Sequence, residues 1–202
     1  MVVETKNDPT LWLIRHAPVL ADKGVCYGAS DLLADRATTD KAARALAETV
    51  PEGLAVRVSP LLRCQQLAGS LKVLRPDLSF HDDQRLREMD FGQWEGKPWA
   101  DIAQTEFDQW MMDFSHARPG GNGETVADLM RRVAQIWSEW AATRSHAVWI
   151  THAGVMRATL LLSRGISLPV SATEWPAVDL PFGESLKLTL RPTPLIEPAN
   201  QR

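Results

Sequence analysis

Short apolar runs recur along this chain, separated by stretches with helical periodicity. Leu11-Trp12-Leu13-Ile14, Ala55-Val56-Arg57-Val58, Leu78-Ser79-Phe80 and Ala147-Val148-Trp149-Ile150 are each only a few residues long and predict buried strands. The alternating segment 186–190 predicts an edge strand. Between them lie an alanine-rich helix over 39–50 with Asp40 near its start, and a helix opening near Pro60. Segment 99–114 has mixed periodicity and reads as helical. Val126, Leu129, Met130, Val133, Ile136, Trp137 and Trp140 form one apolar stripe, opened by a capping box at Thr125 and Asp128. A last helix follows the 147–150 strand through Leu162. Residues 17–38, with Pro18, Gly24 and Gly28, read as a loop. Strands alternating with helices predict an α/β sandwich around a mainly parallel sheet. With no repeat, low-complexity tract or linker, residues 1–202 read as one domain.

Composition narrows the function classes. A formal net charge of -3 argues against a nucleic-acid partner but leaves room for a small anionic ligand in a locally positive pocket. The first ten residues, with Glu4, Lys6, Asn7 and Asp8, are polar, so no signal peptide is expected, and no apolar run is long enough to span a bilayer. Two cysteines, Cys26 and Cys64, do not make a disulfide framework, so a cytoplasmic location is expected. The eight tryptophans are expected to pack the core and its rim rather than to form a stacking surface for a ligand.

In α/β folds of this kind ligands bind beyond the carboxyl ends of the strands. His16, Arg63 and His152 follow predicted strands directly or by a few residues, so the fold would gather them at one edge. Arg15 and Arg63 are suited to neutralising a phosphate dianion. His16 is able to attack phosphorus if its ring is neutral, which nearby arginines favour. His152 can donate a hydrogen bond to a phosphoryl oxygen. Glu88 can protonate a leaving oxygen and then deprotonate water. Each has a plainer reading taken singly: Arg63 as a solvated helix residue, Glu88 in a loop salt bridge, His152 as a helix cap. The conjunction of four such pieces favours phosphoryl chemistry. A cysteine nucleophile with an arginine six positions on is absent, since those positions hold Leu32 and Ser70, and there is no P-loop. His81-Asp82-Asp83 reads as a loop rather than a metal cluster.

Five blocks carry a resemblance: Arg15-His16-Ala17, the segment from Ser59 to Ala68, the segment from Leu86 to Gly96, Gly123-Glu124-Thr125, and Thr151-His152-Ala153-Gly154. In these the chain resembles the histidine phosphatase superfamily, the phosphoglycerate mutase-like family. The resemblance implies a three-layer α/β/α sandwich, His16 as phosphohistidine nucleophile, Glu88 as acid then base, and Arg15, Arg63 and His152 as the phosphate pocket. It implies no metal and no other cofactor, and a small phosphorylated metabolite as partner. Ala17 and Ala153 replace family glycines, and Asp22 stands where the family has an asparagine that touches phosphate, so Asp22 is left outside the expected site. The segments 24–31 and 118–125 look most like α-ribazole phosphatase relatives of the cobalamin pathway. The span between Gly96 and Gly123 lacks the longer insertion of the family's mutases. The competing expectations are a broad-specificity phosphatase and a weakly catalytic phospho-ligand-binding protein.

Overall fold

The computed structural model describes residues 8–190. The polar stretch with Glu4, Lys6 and Asn7 lies outside the described residues. Ten elements follow in chain order: β1 Thr10–Arg15, α1 Arg36–Thr49, β2 Ala55–Val58, α2 Leu62–Leu74, β3 Ser79–Asp82, α3 Gln104–Met112, α4 Val126–Thr143, β4 Ala147–Thr151, α5 Ala153–Ser163 and β5 Ser185–Thr189. The sheet has the order β3-β2-β4-β1-β5. All pairings are parallel except β1 with β5, which is antiparallel at the edge.

The three layers follow from the two-residue period of a strand. Leu11, Leu13, Ala147 and Trp149 face one side, where they pack with Leu129, Val133 and Ile136 of α4 and Val155, Ala158 and Leu161 of α5. Trp12, Ile14, Val148 and Ile150 face the other, against Ala43 and Leu46 of α1 and Leu67 and Leu71 of α2. The central strands are apolar on both faces because helices cover both.

Local boundaries differ from the sequence reading where a cap decides them. Helix α1 starts at Arg36, because the Asp35 carboxylate accepts the Thr38 N–H at 2.8 Å and so caps the first turn; Asp40 lies inside the helix. Pro60 precedes α2 by two residues. Segment 99–114 divides into a 3₁₀ turn, Trp99–Asp101, and α3. Thr125 caps α4 as expected, accepting the Asp128 N–H at 3.0 Å. The Asp128 carboxylate accepts the Thr125 hydroxyl and pairs with Arg131 instead of reaching back to the backbone. His81 and Asp82 continue β3 instead of forming a loop, and Asp83 pairs with Arg57 and Arg85.

Candidate active site

Strand register sets the site. Arg15 of β1 lies opposite Thr151 of β4, so the next residues, His16 and His152, leave adjacent strands at one level. Their rings stand 5.0 Å apart between centroids, both buried. Neighbouring β2 leads through Ser59 to Arg63 in the first turn of α2. Arg63 is fully buried, and its Nε–H is shared between His16 Nε2 and His152 Nδ1, each at 3.2 Å.

Arg63 fixes both tautomers. A guanidinium only donates, so His16 Nε2 accepts, and the ring proton sits on Nδ1, which donates to the Ala17 carbonyl at 2.7 Å. By the same argument His152 Nδ1 accepts from Arg63, and its Nε2–H donates to Ser59 Oγ at 2.7 Å. Burial, then the charge of Arg63, push His16 down to about 3. The same causes hold His152 well below its ordinary value. Both rings are therefore neutral at neutral pH.

The two arginines are held by neutral groups. Arg63 gives its Nη donors to the carbonyls of Gly28 at 2.6 Å and Ser30 at 2.7 Å. Arg15 donates to the Leu180 carbonyl at 2.6 Å and lies 3.6 Å above the Phe182 ring, and its Nε is buried without a hydrogen-bond partner. Among the described residues, neither arginine makes an ion pair with a carboxylate, and the unpartnered Nε of the half-buried Arg15 leaves a place that an arriving anion would fill.

Glu88 lines the same cavity as Arg15 and His16. Its carboxylate accepts the Met89 N–H and the Gly154 N–H, each at 3.0 Å, so the first turn of α5 holds it. A Cβ at Gly154 would meet this carboxylate, so any larger residue there would have to push the Glu88 side chain aside. Ala153 is tolerated beside it and lines the cavity.

A cavity of about 400 Å³ opens over Arg15, His16 and Glu88. Phe91, Trp99, Trp110, Phe114 and Trp175 contribute rings to its wall, in contact with one another at centroid spacings of 5.2–6.4 Å. The expectation of plain packing for the tryptophans holds for Trp12, Trp94, Trp140 and Trp149, which are buried, whereas Trp99, Trp110 and Trp175 also face this cavity. Asp22 is exposed and does not line it.

Sequence reasoning missed four residues here. Tyr27 lines the cavity and places its ring 5.5 Å from the Arg63 guanidinium. Ser59 orients His152, Phe182 supports Arg15, and Arg157 adds a further cation to the wall. Arg157 is anchored by the carbonyls of Pro176 at 2.9 Å and Val178 at 3.4 Å. Its position one helical turn beyond Ala153 was the available signal. Cys64 lies 3.5 Å from His152 Nε2, but burial pushes its thiol up and leaves it protonated.

A parallel-rich α/β sandwich with paired histidines and arginines at adjoining strand ends defines a class of phosphate-handling enzymes. Residues 11–178 match the family model of the histidine phosphatase superfamily, branch 1; the chain belongs to this family and is a phosphatase. Solved structures agree at low identity. A mycobacterial glucosyl-3-phosphoglycerate phosphatase is 25% identical, with a TM-score of 0.73 over 90% of each chain. An Escherichia coli protein provisionally assigned as an α-ribazole-5'-P phosphatase is 26% identical, with a TM-score of 0.72 over 92% of each chain. A Thermus thermophilus protein is 27% identical, with a TM-score of 0.66 over 89% of this chain and 92% of its own. No curated protein sequence matches the chain.

Proposed function

We propose that the chain is a metal-independent phosphomonoesterase working through a phosphohistidine on His16. One observation carries this reading: the unprotonated Nε2 of a buried, neutral histidine faces the Arg63 guanidinium at 3.2 Å. The ester phosphate sits among Arg15, Arg63 and His152, whose charges and hydrogen bonds follow the negative charge into the transition state. His16 Nε2 attacks phosphorus, the ester P–O bond breaks, and Glu88 in its acid form passes its proton to the leaving oxygen. Water then attacks phosphorus and gives a proton to Glu88. The N–P bond breaks, releasing phosphate and neutral His16. His152 donates toward phosphate in the tautomer that carries its single ring proton on Nδ1, with the Ser59 hydroxyl then donating to Nε2.

The leading substrate is a nucleotide-like ester, α-ribazole 5'-phosphate, consumed in the cytoplasm during assembly of the cobalamin nucleotide loop. The aromatic wall suits a heteroaromatic base, and the Escherichia coli neighbour points the same way. A second reading is favoured by Arg157. The acidic segment 99–114 offers no cation for a glycerate carboxylate, but Arg157 does, and the mycobacterial neighbour is a phosphatase of a phosphoglycerate derivative.

The mechanism is tested by quenching turnover at alkaline pH and locating the phosphoryl group by mass spectrometry. It is expected on His16, and His16→Ala should abolish turnover; near wild-type activity in that variant would end the proposal. The substrate is tested by kcat/KM for α-ribazole 5'-phosphate against 3-phosphoglycerate and glucosyl-3-phosphoglycerate. A higher value for either phosphoglycerate, lost in Arg157→Ala, selects the second reading. Similar values for all three indicate a broad-specificity enzyme.

A further inference from the structure

Glu124 and Arg132 belong to no step described so far, yet they lie behind Glu88. Glu124 immediately precedes the Thr125 cap of α4, and Arg132 lies in the second turn of that helix. Arg132 Nε and Nη2 grip both carboxylate oxygens of Glu124, at 2.7 and 2.8 Å. Such a fork-on-fork pair is rigid and directional. The remaining donors go to the main chain that carries Glu88. Nη1 binds the carbonyls of Arg85 and Arg87, both at 2.7 Å, and Nη2 reaches the Glu88 carbonyl at 3.3 Å. The intervening Leu86 carbonyl accepts the Thr151 hydroxyl at 2.8 Å. Four successive carbonyls are thus held, three by one guanidinium and one by β4. The Glu124 N–H also donates to the Asp90 carbonyl at 2.8 Å, closing the far side of the turn.

We propose that the Glu124–Arg132 pair is a positioning device for Glu88, fixing the turn so that its carboxyl meets the leaving oxygen. The inference rests on the reading of Glu88 as acid and base. Neither residue of the pair lines the aromatic cavity; both line a second cavity of about 400 Å³ that Glu88 also borders. Their effect passes through the backbone, and an acid displaced by a fraction of an ångström transfers its proton poorly. Lysine cannot replace Arg132, because one ammonium cannot grip a carboxylate and three carbonyls in a plane.

The experiment compares kcat/KM for p-nitrophenyl phosphate, whose leaving group departs with little protonation, and for an alkyl phosphate, whose leaving group requires it. Glu88→Gln calibrates the full loss of acid assistance. Arg132→Lys, Arg132→Met and Glu124→Gln are expected to slow the alkyl ester about 10- to 100-fold and the nitrophenyl ester by less than about threefold. Added to Glu88→Gln, Arg132→Met should cost the alkyl ester nothing more, since both act on one proton transfer. Equal losses on both esters, or additive losses in the double variant, would overturn the proposal and leave the pair a structural role only. If Arg132→Met does not fold, Arg132→Lys and Glu124→Gln decide by the same ratio. Should Glu88→Gln itself show no leaving-group dependence, the acid reading of Glu88 fails and the inference falls with it. A calibrated loss in Glu88→Gln with none in the other variants defeats the positioning proposal alone.

Discussion

His16 and His152 are buried as neutral rings, and that has a thermodynamic consequence. Unfolded, each binds a proton near pH 6.5; folded, burial and Arg63 keep His16 unprotonated down to about pH 3 and His152 well below its ordinary value. Below pH 6.5 the unfolded state therefore binds more protons, so stability is fully present above that pH and is lost as pH falls. Each such histidine contributes a slope of about 1.4 kcal/mol per pH unit. Carboxyls drawn below their ordinary values, Asp77 and Asp128 among them, release their stability only at lower pH. Urea unfolding between about pH 6 and pH 5, below the unfolded histidine value and above those carboxyls, isolates the histidines. The unfolding free energy should fall steeply over that interval and fall less in His16→Ala. A flat profile in the wild type would show that the rings are not held neutral. The residue types of this network were legible in sequence, since a histidine and an arginine at strand ends announce their chemistry. Their tautomers were not, because these depend on which partner nitrogen or carbonyl each ring meets.

At the scale of elements, the first turn of α5 is the most exacting piece. His152 is its N-cap residue and makes no capping bond with its side chain, because both ring nitrogens serve Arg63 and Ser59. The Gly154 N–H is thereby left for Glu88 at 3.0 Å. Gly154→Ala forces the Glu88 carboxylate away while leaving the helix geometry acceptable to alanine. Turnover of an alkyl phosphate is expected to fall about 100-fold, the cost of a displacement near one ångström. The melting temperature should change little, as alanine is the better helix former. Unchanged turnover would mean that the carboxylate moves without cost and is not held where the acid is needed. The Thr125 cap of α4 was readable because capping is local in sequence. The sequence reading opens α1 at 39, three residues past its true start at Arg36, because only the Asp35–Thr38 bond identifies the cap. Segment 99–114 was read as one helix because its aromatic residues serve the cavity wall as well as the packing of α3, and two demands blur one period.

For the whole molecule, Arg15, Arg63 and Arg157 bring positive charge to the site. Among the described residues, no group of three or more His, Cys, Asp and Glu side chains converges as a metal site would require, and no helix is long and apolar enough to cross a membrane. Phosphatase activity is expected to survive extended dialysis against a chelator, measured with p-nitrophenyl phosphate. Loss on chelation with recovery on Mg²⁺ or Zn²⁺ would mean that Arg15 and Arg63 do not carry the charge balance alone. The alternation of apolar runs and helical stripes, and with it the layered α/β class, was written in local periodicity. So was the placement of His16, Arg63 and His152 just past strand ends, because a strand and the residue that follows it are neighbours in the chain. The sheet order β3-β2-β4-β1-β5 was decided only in three dimensions, and it is what brings the two histidine rings to 5.0 Å. The same holds for the Gly28 and Ser30 carbonyls on Arg63, for Phe182 under Arg15 and for Arg132 behind Glu88. These are contacts to main-chain carbonyls and ring faces across long stretches of chain, and such groups occur at every position, so no residue type marks them in advance.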